Sequence, residues 1–107
     1  MKLGQQQCKF TLMTAHLILF AYEQGYELTY GDASRMDNKG HVKGSFHYKR
    51  LAVDFNLFKD GVYLTTTDSH TVLGEFWKSI GGTWGGDFKH KDGNHYSLGE
   101  SPNREVF

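Results

Sequence analysis

Cysteine is almost absent. The single Cys8 excludes an intrachain disulfide and fits folding in a reducing compartment. Proline is as scarce, with one in 107 residues, which argues against a proline-rich disordered chain. Thirteen glycines point instead to many tight turns. Charge of one sign is missing too. Twelve Lys and Arg balance twelve Asp and Glu, so no basic footprint marks a nucleic-acid binder and no net charge draws the chain to anionic lipid. Long apolar runs are also lacking. The most apolar stretch, residues 10–22, is too short to cross a bilayer and is interrupted by His16, so no membrane insertion is expected. Tyr22, Glu23, Gln24 and Gly25 follow it without a small-residue cleavage pattern, so no signal peptide is expected and folding in a cytoplasm is.

Aromatics are plentiful: eight Phe, six Tyr and two Trp. Large rings suit a compact domain with few core positions. The length fits a single domain over residues 1–107. No repeat or interdomain linker interrupts it.

Residues 4–24 read as one helix. Phe10, Met13, Leu17 and Phe20 recur at helical spacing, Leu12 and Leu19 widen the stripe, and Gly25 offers a stop. Cys8, near its start, is expected as a small buried hydrophobe, and His16 as packed or half-exposed. Residues 26–30 read as a short strand, and residues 31–44 as a long polar loop. The clearest strand is residues 51–58, where Leu51, Val53, Phe55 and Leu57 alternate with Ala52, Asp54, Asn56 and Phe58. Its apolar face must pack on a core that includes the first helix. Lys59, Asp60 and Gly61 predict a hairpin to a strand over residues 62–64. Thr67 or Asp68 can cap a second helix ending near Ile80, where Gly81 and Gly82 follow. Residues 84–93 read as loop and residues 95–98 as a last strand.

Asp54 is the anomaly in this pattern. A carboxylate inside an apolar strand costs several kcal/mol if buried without compensation. A metal cation would compensate it; a solvent-facing strand surface would explain it equally, and the strand alone leaves both readings open. His47 lies just before the strand and can converge on the same ion if the turn through Lys49 and Arg50 re-aims it. Asp92-Gly93-Asn94-His95 adds a third ligand, the His95 imidazole, and a second carboxylate. A zinc peptidase needs three protein ligands, an open position for water, and a base that does not bind the metal. His47, Asp54 and His95 can be the ligands, and Asp92 the base. His90 stands in reserve, and His41, His70 and His90 are expected to be solvated. Ser45 is expected to support the site by hydrogen bonding, without a paired base that would make it a nucleophile. Trp84 either lines the cleft or fills core.

Ser45-x-His47 with Asp54, followed by Asp92-x-x-His95, resembles the zinc D-alanyl-D-alanine carboxypeptidase and L-alanyl-D-glutamate endopeptidase family, which includes VanY-type enzymes and many phage endolysins. The resemblance spans the first helix, residues 27–35 and residues 49–100. The runs Arg50-Leu51-Ala52-Val53-Asp54-Phe55-Asn56-Leu57-Phe58 and Gly82-Thr83-Trp84-Gly85-Gly86-Asp87 are similar to phage members. It implies zinc on His47, Asp54 and His95, Asp92 as general base, and Arg35 as the residue that holds or polarises substrate. It also implies an α+β fold of the Hedgehog and DD-peptidase kind, with helices on one face of an antiparallel sheet and zinc on the other. Ser45 and Trp84 join Arg35 as expected substrate-binding residues.

The expected function is therefore a monomeric zinc metallopeptidase acting on peptidoglycan stem peptides. The absence of an export signal favours a phage endolysin cutting L-Ala–D-Glu, made in the host cytoplasm and released to the cell wall through a holin. A D-Ala-D-Ala carboxypeptidase is the alternative within the class. A zinc-stabilised binding module without catalysis is the alternative outside it, and retention of an acid at Asp92 argues against that. Asp32, Asp37 and Asn38 share a loop, but their spacing does not match a calcium-binding EF-hand.

Overall fold

The structure, a computed structural model, describes residues 2–31 and 50–98. Helix α1 spans Leu3–Glu23 and strand β1 Glu27–Tyr30. Strands β2 (Ala52–Lys59) and β3 (Val62–Leu64) follow, then a 3-10 turn at Asp68–His70 that runs into helix α2 (Thr71–Ser79). Strand β4 (Gly82–Trp84), a 3-10 turn at Gly85–Asp87 and strand β5 (His95–Leu98) complete the described chain. This is a small α+β domain, two helices and an antiparallel sheet. No helix among the described residues is long and apolar enough to cross a membrane.

Helix α1 buries Phe10, Met13 and Leu17 of the expected stripe, with Ala21 in place of Phe20, which is half-buried. Leu12 and Leu19 do not widen that stripe; they are 61% and 63% exposed. Both lie a quarter-turn or more away from the buried line, so the sheet never reaches them. Cys8 is exposed for the same reason, which corrects its expected burial, and His16 is exposed as well. The helix closes with paired bonds from Gly25 N–H to the Tyr22 carbonyl (3.1 Å) and Tyr26 N–H to the Ala21 carbonyl (2.9 Å), which satisfy two of its last carbonyls.

β2 is the centre of the sheet. One edge pairs with β1 and the other is shared by β3 and β5, with β4 outside β5. The β2–β3 hairpin turns on Asp60 (φ 52°) and Gly61 (φ 78°), the double positive-φ geometry that follows strand twist. Because side chains alternate, Val53, Phe55 and Leu57 share a face with Tyr96 of β5, Trp84 of β4 and Leu28 of β1. That face packs with α1 and with Leu73 and Trp77 of α2 in one apolar cluster. Phe55, Trp77 and Tyr96 are almost fully enclosed, each contributing roughly 1.5–3 kcal/mol of burial.

Three local expectations change. The second helix begins as a 3-10 turn with Thr67 at its N-cap, one of the two expected positions, but Thr67 makes no side-chain cap bond; Thr66 Oγ1 accepts from Ser69 N–H at 3.2 Å instead. Residues 82–84 form a strand too short to show a period of two. His70 is buried, not solvated, because Tyr96 of the distant β5 gives its ring a hydrogen-bond partner at 2.7 Å.

Candidate metal centre

The face of β2 opposite the core carries Asp54. On β5, His95 stands directly opposite it in the antiparallel register. Directly opposed residues project to the same side of a sheet, so pairing alone brings the two side chains together. His95 Nδ1 lies 3.5 Å from Asp54 Oδ1. Two bonds lock the register beside them: Gly31 N–H donates to the Asp54 carbonyl (2.8 Å) and Phe55 N–H to the Asn94 carbonyl (3.0 Å).

Asp92 reaches the pair through a tight turn. His95 N–H donates to the Asp92 carbonyl (3.1 Å), and Asp92 N–H to the Gly85 carbonyl (2.9 Å). Gly85 is required there by close approach, since a Cβ on it would run into the Asp92 carbonyl and stand 2.8 Å from the His95 Cβ. Trp84 Nε1 donates to the Gly93 carbonyl (2.7 Å), tying the turn to the core. Ligand atoms of Asp54, Asp92 and His95 all come within 4.8 Å of one another. Asp54 is buried at 8% exposure, His95 is half-buried and Asp92 is exposed.

This donor set fits a metal. Two carboxylates and an imidazole are oxygen and nitrogen donors of the kind zinc takes. The burial of Asp54 makes its negative charge expensive unless a cation compensates it. Among the described residues, this is the group that could hold a metal ion. His47, Arg35 and Ser45 lie outside the described residues. His90 is exposed and outside the group. Trp84, expected either at the cleft or in the core, is in the core at 5% exposure, where its Nε1 supports the Asp92 turn.

Behind the group, on the core side, His70 Nδ1 and the Tyr96 hydroxyl share a buried hydrogen bond. Burial lowers the His70 pKa to about 4 and raises that of Tyr96, so both are neutral near pH 7. Beside Asp92 opens a cleft of 220 Å³, whose walls include Asn56, Tyr63, Thr65, Thr66, Thr67 and Asn94. Sequence reading missed these residues. Three consecutive threonines after a strand were the available signal.

Comparison with curated proteins returned no match. A family model described as D-alanyl-D-alanine carboxypeptidase matches residues 39–98, which include β2, β5 and all three members of the group. Peptidases of this family are zinc-dependent, and Asp54, Asp92 and His95 form a group that could hold a metal ion. Matched over more than half its length, a span that includes Asp54, Asp92 and His95, the chain belongs to the D-alanyl-D-alanine carboxypeptidase family.

Proposed function

We propose that this protein is a zinc peptidase that hydrolyses peptidoglycan stem peptides, as a phage endolysin cutting the L-Ala–D-Glu bond. Asp54 and His95, with His47, would hold zinc on the sheet face opposite the helices. When bound, zinc supplies Lewis-acid polarisation of the scissile carbonyl and makes a water more acidic. Asp92 takes the proton from the attacking water and returns it to the leaving amine, a role worth roughly 10²- to 10⁴-fold in rate. Arg35 holds the substrate and offers its guanidinium to the carbonyl oxygen as charge develops.

The observation that carries this reading is the split in exposure within one cluster. Asp54 is buried and His95 half-buried, as ligands should be, while Asp92 is exposed at the cleft where a substrate and a water would enter. The similarity of residues 50–58 and 82–87 to phage members supports the endolysin form, which would act on the wall after release from the host cytoplasm. The matched family description supports a second reading, a D-alanyl-D-alanine carboxypeptidase.

Mass spectrometry of digested peptidoglycan separates them. New C-terminal L-Ala and N-terminal D-Glu identify the endopeptidase. Release of free D-Ala identifies the carboxypeptidase. An unchanged digest from the zinc-loaded protein would sink both.

A further inference from the structure

The face of β2 that carries Asp54 continues through Asn56 to Phe58. Register adds Thr29 of β1 opposite Asn56 and Tyr63 of β3 opposite Phe58. These side chains form a connected platform. Asn56 Nδ2 donates to Thr29 Oγ1 (3.3 Å), and the Tyr63 hydroxyl donates to Asn56 Oδ1 (3.3 Å). The rings of Phe58 and Tyr63 stack with centroids 5.1 Å apart, and Tyr63 remains 53% exposed. Asn56 and Tyr63 also wall the 220 Å³ cleft that holds Asp92. Hence the platform is continuous with the catalytic group.

Half of the cleft's wall is hydroxyls and amides, joined by Phe55, Leu64 and the neutral His70 ring. Its full charges are Lys91 and Asp92, and the Lys91 ammonium donates to the Gly86 carbonyl at 3.2 Å. Such a surface offers donors and acceptors without selecting a charge. An exposed aromatic ring beside it offers a flat apolar face. Together they suit a neutral, polyhydroxylated ring with polar edges and C–H faces.

We infer that the cleft walled by Asn56, Tyr63 and residues 65–67 binds an N-acetylated amino sugar, the glycan unit that carries the stem peptide. The inference rests on the L-Ala–D-Glu reading above. In the wall polymer, the L-Ala of the stem is amide-linked to the lactyl ether of such a sugar. One residue and that short link span roughly 7 Å, counting about 3.5 Å for each. Along β2, Asn56 lies about 7 Å and Phe58 about 14 Å beyond Asp54. A scissile L-Ala carbonyl at the metal group therefore sets the sugar against Asn56 and Tyr63. A D-Ala-D-Ala bond would leave the sugar several residues farther away.

The test compares two substrates of the zinc-loaded protein: the stem peptide joined to its disaccharide, and the same peptide without sugar. The wild type should prefer the glycopeptide about tenfold in kcat/KM, mostly through KM. Tyr63→Ala should collapse that preference to near unity. An unchanged preference in Tyr63→Ala, or none in the wild type, overturns the inference. In parallel, the peptide-free disaccharide is titrated into the wild-type protein, and backbone amide shifts are followed by NMR. Shifts at Asn56, Tyr63 and residues 65–67 are expected, and a pattern that spares them contradicts the proposal. If neither substrate is cut, the peptidase reading fails, while the titration still decides sugar binding by itself.

Discussion

Two histidines stand on opposite faces of the same sheet, beside consecutive residues of β5. His70 meets Tyr96 on the core face, at 2.7 Å. His95 meets Asp54 on the far face, at 3.5 Å, with Asp92 close by. The first pair is neutral, enclosed and matched donor to acceptor, so it serves packing. The second gathers carboxylates around an imidazole, which is favourable only when positive charge is supplied. What separates a structural histidine from a candidate ligand here is above all the charge of its partners, with His70 buried and His95 half-buried.

Breaking the far-face group should have the largest effect, and on chemistry rather than on the fold. Asp92→Ala should lower kcat by about a thousandfold or more, as expected for loss of a general base. Its melting temperature should stay near that of the wild type, since Asp92 is exposed. Wall-lytic activity within tenfold of wild type in purified Asp92→Ala would remove the base from the account.

Breaking the core-face pair should do the reverse. His70→Ala leaves a cavity and strands the Tyr96 hydroxyl, at a cost of about 2–4 kcal/mol in denaturant unfolding. Zinc content should not change. A variant that loses zinc but keeps its stability would reverse the roles assigned to the two pairs.

Acid sharpens the same contrast. Burial lowers the His70 pKa from 6.5 to about 4, so between those values the unfolded chain binds a proton that the native protein does not. Stability from this source is complete above pH 6.5, falls as pH drops toward 4, and levels off below. The full loss is about 3 kcal/mol. Measured on zinc-free protein, the difference between wild type and His70→Gln should change over that interval. A constant difference from pH 7 to 4 would contradict the buried neutral imidazole.

Elements governed by neighbours in sequence were legible. The Phe10–Met13–Leu17 stripe, the alternation of β2 and the Asp60-Gly61 turn each carry their own period or backbone demand. Features made by distant partners were not. Nothing near His70 signals Tyr96, so its burial escaped local reading. Leu12 and Leu19, expected to widen the helical stripe, lie nearly opposite its midline at about 100° per residue and are exposed. Asp54 was visible as an anomaly, and family resemblance joined it to His95. The physical reason, a direct cross-strand register, is written in no single segment.

The central claim is that Asp54 and His95 hold zinc while Asp92 does not. Zinc bound per purified chain tests it most directly, compared across wild type and the Asp54→Ala, His95→Ala and Asp92→Ala variants. The account predicts about one zinc in the wild type and in Asp92→Ala, and little in the other two, as a three-ligand site losing one ligand should show. Full zinc in Asp54→Ala or His95→Ala, or its loss in Asp92→Ala alone, would contradict it.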